Sequence, residues 1–289
     1  MNKALKAGIV AFAFAAAALL TTRGLAAGEA NSITVKGSDT MVNMASGWAE
    51  AYMGLHPEVQ ISVTGGGSGT GIAALINGTT DICNASRQMA ESEIQTARRR
   101  GINPVRTVVA RDGLAVIVNP RNPVSELTME QIGKIYTGAY TNWHQVGGPD
   151  HRIVVLSREN SSGTYVFFQE HVLNKQDYTQ SARLMPATSA IVQATTNEQW
   201  AIGYVGLGYA EKARNQVKIL KVKRDAHSPG VLPSLATVDD GTYSISRPLQ
   251  IYTNGEPTGA IRAYVGFILS AAGQKIVEDY DEIPVRRQQ

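Results

Sequence analysis

The sequence predicts an α/β protein of two lobes built on a largely parallel sheet. Three observations carry that expectation. Strand–turn–helix units repeat along the chain, the pattern of a parallel sheet crossed by helices. The run Leu114-Ala115-Val116-Ile117-Val118 is apolar without interruption, as in a strand covered on both faces. At 289 residues, the chain has room for two modest domains or one large one.

Ile33-Thr34-Val35 reads as the first strand, ended by Gly37-Ser38-Asp39. Met41, Met44, Trp48 and Tyr52 then recur at helical spacing. Val59–Val63 alternates as a second strand, and Gly65-Gly66-Gly67-Ser68-Gly69 leads into a helix that Asn77-Gly78 stops. Asp81–Ala85 is a short strand followed by Ser86-Arg87, and a polar helix runs from Glu91 to Arg100. Thr128 and Gln131 form a capping box for a helix with Ile132, Ile135 and Tyr136 on its apolar face. Ile153–Leu156 is a strand that empties into Ser157-Arg158-Glu159-Asn160-Ser161-Ser162-Gly163-Thr164, with a helix beyond. Ala201–Val205 and Leu249–Tyr252 are strands, residues 223–242 read as loop, and a final helix covers residues 258–272. Lobe one is expected to hold residues 28–113 and 253–289, and lobe two residues 114–252. The connections are expected near Arg111–Leu114 and Pro248–Thr253.

Residues 1–27 have the layout of a secretory signal. Lys3 and Lys6 precede an apolar run from Gly8 to Leu20, and small residues follow through Ala26-Ala27. That run is too short to span a bilayer comfortably. Export to the periplasm is the expectation. Lys3, Lys6 and Arg23 are three of the 27 basic residues, so the remaining chain carries 24 basic against 24 acidic groups. A neutral mature chain gives no case for nucleic-acid or membrane-surface binding. Cys83 is the single cysteine, which excludes an internal disulfide and reads best as a small buried residue.

Four turns share one design: Gly37-Ser38-Asp39-Thr40, Gly67-Ser68-Gly69-Thr70, Ser86-Arg87, and Arg158 with Ser162-Gly163-Thr164. Each follows a strand, where ligands of α/β sheets collect. Helix N-termini offer unpaired N–H groups to anions, hydroxyls add donors without charge, and glycine permits close backbone approach. Any one of these turns is more often a plain helix cap. Together, with Arg87 and Arg158 beside them, they predict a cage for a small oxyanion.

These residues resemble the bacterial periplasmic phosphate-binding proteins of the PstS type. Thr34–Met41, Thr64–Gly78, Asp81–Arg87 and Ser157–Thr164 are similar to the family's four anion loops, and the likeness extends over nearly all of residues 31–287. The resemblance implies a two-lobe periplasmic-binding-protein fold of type II, closing on phosphate in the cleft between its lobes. It also implies a monomer that delivers inorganic phosphate to an inner-membrane ABC permease, with no cofactor or metal and no catalysis. Carried over by position, Ser38, Thr40 and the Met41 amide would bind from the first loop, Ser68 from the second, and Ser86 and Arg87 from the third. Arg158, Ser162, Gly163 and Thr164 would close from lobe two. One departure stands out. Several members carry an aspartate at or beside the third loop to accept the proton of hydrogen phosphate, where this chain has Arg87. Asp39 is the nearest replacement.

Other readings are weighed on the same residues. A secreted phosphate-ester hydrolase would use Ser38 or Ser68 as nucleophile, but the sequence offers no evident general base or metal set. A receptor of the same fold for sulfate or molybdate would differ only in selectivity. The five histidines show no metal spacing, and no HExxH or CxxC occurs. Arg98-Arg99-Arg100 reads as a solvated helix face.

Overall fold

The computed structural model describes residues 31–285; the signal segment expected over residues 1–27 lies outside them. The chain opens with β1 (Asn31–Gly37), whose Ile33 and Val35 point into the core. A single 3₁₀ turn, Asp39–Met41, leads into α1 (Val42–Leu55). Then come β2 (Val59–Thr64), α2 (Ser68–Ile76), β3 (Ile82–Ala85) and α3 (Glu91–Arg99). β2 and β3 both run parallel to β1, one on each side.

The long strand β4 (Pro104–Val118) then crosses the molecule. Beyond it follow β5 (Glu126–Thr128), α4 (Met129–Thr137), β6 (Val154–Arg158), α5 (Gly163–His171), β7 (Arg183–Met185), α6 (Thr188–Asn197), β8 (Ala201–Gly206) and α7 (Leu207–Lys212). β6 is parallel to β7 and β8. Short β9 (Lys218–Ile219), β10 (Lys221–Lys223) and α8 (Leu235–Asp239) precede β11 (Ser246–Asn254), which returns alongside β4. The chain ends in α9 (Gly259–Ile268), α10 (Ala271–Asp279) and β12 (Ile283–Pro284).

The main sheet runs β2-β1-β3-β11-β4-β8-β6-β7. It is mixed, which corrects the expected largely parallel sheet. Two parallel trios are joined through β4 and β11, which are antiparallel to each other; β11 is antiparallel to β3, and β4 to β8. The buried run at residues 114–118 is the second half of β4, not a strand of its own. Its first half, on the other trio, mixes charged and apolar residues and so hides its continuity.

Each trio has its own core. Trp48, Met44, Ile251 and Tyr264 fill the first, and Leu114, Tyr136, Trp143, Phe168 and Tyr204 the second. The molecule is therefore two α/β lobes joined by β4 and β11. The final helix expected over residues 258–272 is two helices. Ser270 Oγ accepts the Gly273 N–H at 3.2 Å and caps α10. A Cβ at Gly273 would come within 2.2 Å of the Phe267 carbonyl, so the tight turn between the helices requires glycine. Trp48 Nε1 donates to that same residue's carbonyl at 2.8 Å and ties α10 to lobe one. The capping box of Thr128 and Gln131 forms as the spacing predicts. Residues 223–242, expected as loop, include α8. No described helix is long and apolar enough to cross a membrane.

Candidate functional site: an oxyanion cage between the lobes

The four hydroxyl-rich turns converge. Ser38 follows the C-terminal end of β1, Ser68 opens α2, Ser86 follows β3, and Ser162-Gly163-Thr164 opens α5. Ser38, Thr40, Ser68, Ser86, Ser162 and Thr164 are all buried. Across the lobes, the Thr40 and Thr164 hydroxyls meet at 2.8 Å, and the Gly69 N–H donates to the Ser161 carbonyl at 2.9 Å. Within lobe one, Ser68 Oγ accepts the Ser86 N–H at 3.0 Å and lies 3.3 Å from Ser86 Oγ. A Cβ at Gly163 would fall 2.2 Å from Ser68 Oγ, so glycine there lets the α5 N-terminus reach the opposite lobe. The Gly163 amide, first in its helix, has no intrahelical acceptor and points its dipole toward this space.

Ser38 Oγ is buried without a hydrogen-bond partner. Leaving a buried hydroxyl unmet costs about 1–3 kcal/mol, so an orphan at the meeting point of four such turns calls for an acceptor or donor from a ligand. Neutral hydroxyls, which can donate or accept, line the cage. The Met41 amide differs from expectation: it donates to the Ser38 carbonyl at 3.2 Å, inside the 3₁₀ turn.

Arg158, 2% exposed, is held on every side. Its Nε donates to the Met185 carbonyl at 3.2 Å, Nη1 to Thr188 Oγ1 at 2.7 Å and Nη2 to the Pro186 carbonyl at 2.9 Å. Asp39 Oδ2 sits 3.3 Å from Nη1 and accepts the Thr188 N–H at 2.7 Å. Burial pulls the Arg158 pKa below the usual arginine range, and Asp39 offsets part of that pull. The expected stand-in for a proton acceptor is thus occupied as a latch between lobes. Tyr209 adds to the latch by donating to the Asp39 carbonyl at 3.2 Å.

Arg87, expected to clamp the ligand, instead faces Glu93 through two 2.7 Å bonds. Glu93 also accepts the Ala90 N–H at 2.8 Å and so closes the start of α3. A bidentate partner six residues downstream occupies both Nη groups of Arg87 and leaves its buried Nε without a partner, and the sequence spacing gave no warning of it.

A third arginine completes the site. Arg247, on β11, is 3% exposed. Its Nη1 donates to the Ser86 carbonyl at 3.1 Å, and Nη2 lies 3.5 Å from Thr40 Oγ1. Asp112 on β4 binds its Nε and Nη2 at 3.0 and 2.7 Å and also accepts the Leu207 N–H at 3.1 Å. Sequence reading missed this pair; the only signal was an arginine among apolar strand residues, between Ile245 and Leu249.

Glu282 is buried beside Asp112 and Arg247. Desolvation first, and then the Asp112 charge, push its pKa well above the usual carboxylate range, against a weaker pull from Arg247. Its proton is therefore held more tightly in the folded chain than in the unfolded one. Stability from that proton is full below the unfolded value of about 4.3 and is lost as pH rises toward the folded value. Glu282→Gln, which keeps a donor toward Asp112, is expected to stabilise the protein at pH 8 more than at pH 4. Thermal melts at the two pH values check it; an equal shift at both would contradict the assignment.

Cys83 is buried and its thiol is pushed up to about 12, mainly by desolvation, so it is an inert core group. Ser68, weighed as a nucleophile, is hydrogen-bonded to Ser86 rather than to a base. No group of three or more potential metal ligands occurs among the described residues.

The PBP superfamily domain profile matches residues 24–272. The chain belongs to the PstS family of that superfamily. It is 30% identical over 277 residues to the phosphate-binding protein PstS of Pseudomonas aeruginosa, covering 90% of this chain and 85% of that one. It is 34% identical over 249 residues to the PstS of Staphylococcus saprophyticus, covering 84% and 77% respectively. Its fold matches a putative phosphate ABC transporter substrate-binding protein from Clostridium perfringens, solved with bound phosphate. That match has a TM-score of 0.80 and 32% identity, over 89% of this chain and all of the other. The two-lobe architecture is thus shared with these phosphate-binding proteins.

Proposed function

We propose that this protein is an extracytoplasmic receptor that closes its two lobes on inorganic phosphate and delivers it to an inner-membrane ABC permease. The observation that carries the reading is the unpartnered Ser38 hydroxyl among buried hydroxyls from both lobes. The PstS names of its relatives support phosphate as the ligand. The protein acts as a monomer in the periplasm and has no catalytic role. Lobe one comprises residues 31–113 with α9 and α10, lobe two the middle of the chain, and β4 with β11 serves as the hinge; the return boundary lies upstream of the expected residue 253, because Leu249 and Ile251 pack in the first core. The bulge between Leu249 and Gln250 gives that hinge a place to bend.

The ligand is held by Ser38, Thr40, Ser68, Ser86, Ser162, Gly163, Thr164 and Arg158. Arg247 takes the charged place expected of Arg87. Arg158, Arg247 and Arg87 are each matched by a carboxylate, so recognition rests on many aligned donors more than on net charge. Eight donors at about 1 kcal/mol each, before closure costs, are of the order needed for micromolar binding, about 8 kcal/mol.

Calorimetric titration of ligand-stripped protein is expected to give a phosphate Kd in the micromolar range or tighter, with no phosphate released from p-nitrophenyl phosphate. Turnover of the ester without phosphate binding would reverse the reading toward a hydrolase, and equal affinity for sulfate or molybdate would widen it to tetrahedral oxyanions. Asp39→Asn separates latch from proton acceptor. As a latch, Asp39 sets affinity for both anions, so the variant should bind phosphate about tenfold more weakly with the phosphate-to-sulfate ratio kept within about threefold. A collapse of that ratio would instead make Asp39 the proton acceptor.

A further inference from the structure

One buried carboxyl stands behind the cage without touching it. Glu282, 4% exposed, lies in the short link from α10 to β12. That link is fixed from several sides. The Glu282 N–H donates to the Val277 carbonyl at 3.1 Å, and Ile283 pairs with Arg111 on β4. Asp281 takes the left-handed conformation at φ 58°, which a residue with a side chain adopts only under constraint. A Cβ at Gly208 on α7 would come within 2.2 Å of the Tyr280 carbonyl, and one at Gly47 on α1 within 2.7 Å of the Tyr280 ring. Both lobes therefore close on this link, and it holds the Glu282 carboxyl away from water.

Its neighbours connect it to the cage. Asp112 on β4 accepts the Glu282 hydroxyl, the Leu207 N–H of α7 and two bonds from Arg247. Arg247 on β11 then donates to the Ser86 carbonyl at 3.1 Å and lies 3.5 Å from Thr40 Oγ1. Tyr209 on α7 and Asp281 in the same link also feel the Glu282 charge. Asp239 on α8 is engaged by Arg111, and Glu278 and Asp279 on α10 are exposed. The second oxygen of Glu282, Oε2, has no hydrogen-bond partner. A neutral carboxyl here needs one acceptor, which Asp112 supplies. An ionised one would set two carboxylates on a single buried guanidinium and leave an oxygen unmet. Burial and the Asp112 charge already hold that proton well past the usual carboxylate range.

We infer that Glu282 is a positioning residue for phosphate binding, and that its proton, shared with Asp112, keeps Arg247 aimed at Ser86 and Thr40. This rests on the phosphate reading of the cage and adds a residue that touches no ligand. When Glu282 ionises, Arg247 is drawn toward the two carboxylates and away from the Ser86 carbonyl and Thr40. A second negative charge then also stands behind a site that must take an anion. Both effects weaken binding as pH rises. The coupling is reciprocal, so phosphate in the cage makes Glu282 hold its proton more tightly.

The test measures the phosphate Kd of the full mature protein from pH 6 to pH 9, beside Glu282→Gln and Glu278→Gln. Phosphate itself ionises equally in every titration, so the ratio of wild-type to variant Kd isolates the side chain. Glu282→Gln stays neutral and keeps a donor toward Asp112. Its ratio is expected to rise about tenfold across that range, while the ratio for the exposed Glu278→Gln stays within about twofold. A second measurement needs no variant to fold. With isotope-labelled glutamate carboxyls followed by NMR, saturating phosphate is expected to raise the Glu282 pKa by about one pH unit, the same tenfold preference seen from the protein's side. A flat ratio for folded Glu282→Gln would overturn the inference. So would an equal rise for Glu278→Gln, or a Glu282 titration that phosphate leaves in place. Absence of phosphate binding by the folded wild type at every pH would instead overturn the phosphate reading itself.

Discussion

Replacing Arg158 by alanine is expected to remove measurable phosphate binding. The side chain is almost wholly buried, and its guanidinium is fixed by two carbonyls, a hydroxyl and Asp39. A group so held reaches a ligand without further loss of side-chain freedom, which is what makes a preorganised donor effective. Each charge-assisted bond it gives contributes about 1.5–3 kcal/mol, so losing two weakens binding by roughly 10²- to 10⁴-fold. Alanine also leaves Asp39, half-buried between the lobes, with the Thr188 N–H as its remaining donor, at a cost of about 1–3 kcal/mol of stability. Arg158→Lys separates the two effects. It keeps a charge near Asp39 but loses the planar fork, so it should fold with a smaller loss of stability and still bind phosphate at least tenfold more weakly. Calorimetry beside a thermal melt reads both. Wild-type affinity in the lysine variant would remove Arg158 from the ligand's contacts.

The local features were the most readable in the sequence. Strand ends, glycine-rich turns and the Thr128 capping box depend on residues a few positions apart, and the structure forms them at those places. Ser38, Thr40, Ser68, Ser86 and Ser162-Gly163-Thr164 come together because every one of their turns follows a strand of the same curled sheet. What the sequence hid was pairing over distance. Arg87 looks like a ligand clamp until Glu93, in the first turn of α3, reaches back to it over six residues. Asp39 looks like a free carboxylate until Thr188, 149 residues away, donates to it. Arg247 and Asp112 are 135 residues apart and belong to two strands that only the antiparallel register sets side by side. No periodicity or motif encodes such a pair, because hydrophobic spacing reports which face is buried and not which charges meet there.

Asp112→Ala should therefore have the largest effect on stability in the hinge. Arg247 and Asp112 are both essentially without solvent contact, and Asp112 accepts from Arg247 twice and from the Leu207 N–H once. Deleting the carboxylate leaves a buried guanidinium with one carbonyl and a distant hydroxyl, at a cost of about 3–5 kcal/mol. For a chain of this size that corresponds to roughly 6–20 °C in Tm. The pair itself is not what holds the fold together, since charges taken out of water repay little more than their desolvation. Combining Asp112→Ala with Arg247→Met should therefore recover much of the lost stability, and the double variant should be more stable than the sum of its singles predicts. It should not recover phosphate binding, because Arg247 also holds the Ser86 carbonyl and borders Thr40. Glu282 supplies an independent readout of the same network. Without Asp112 its carboxyl loses both the charge and the hydrogen bond through which Asp112 raises its pKa, so the pH-dependent gain of Glu282→Gln should shrink in the Asp112→Ala background. Additive single and double variants would mean that Arg247 and Asp112 act separately. A recovered fold without recovered binding would show that β4 and β11 keep this buried ion pair for the ligand and the hinge, since stability alone does not require it.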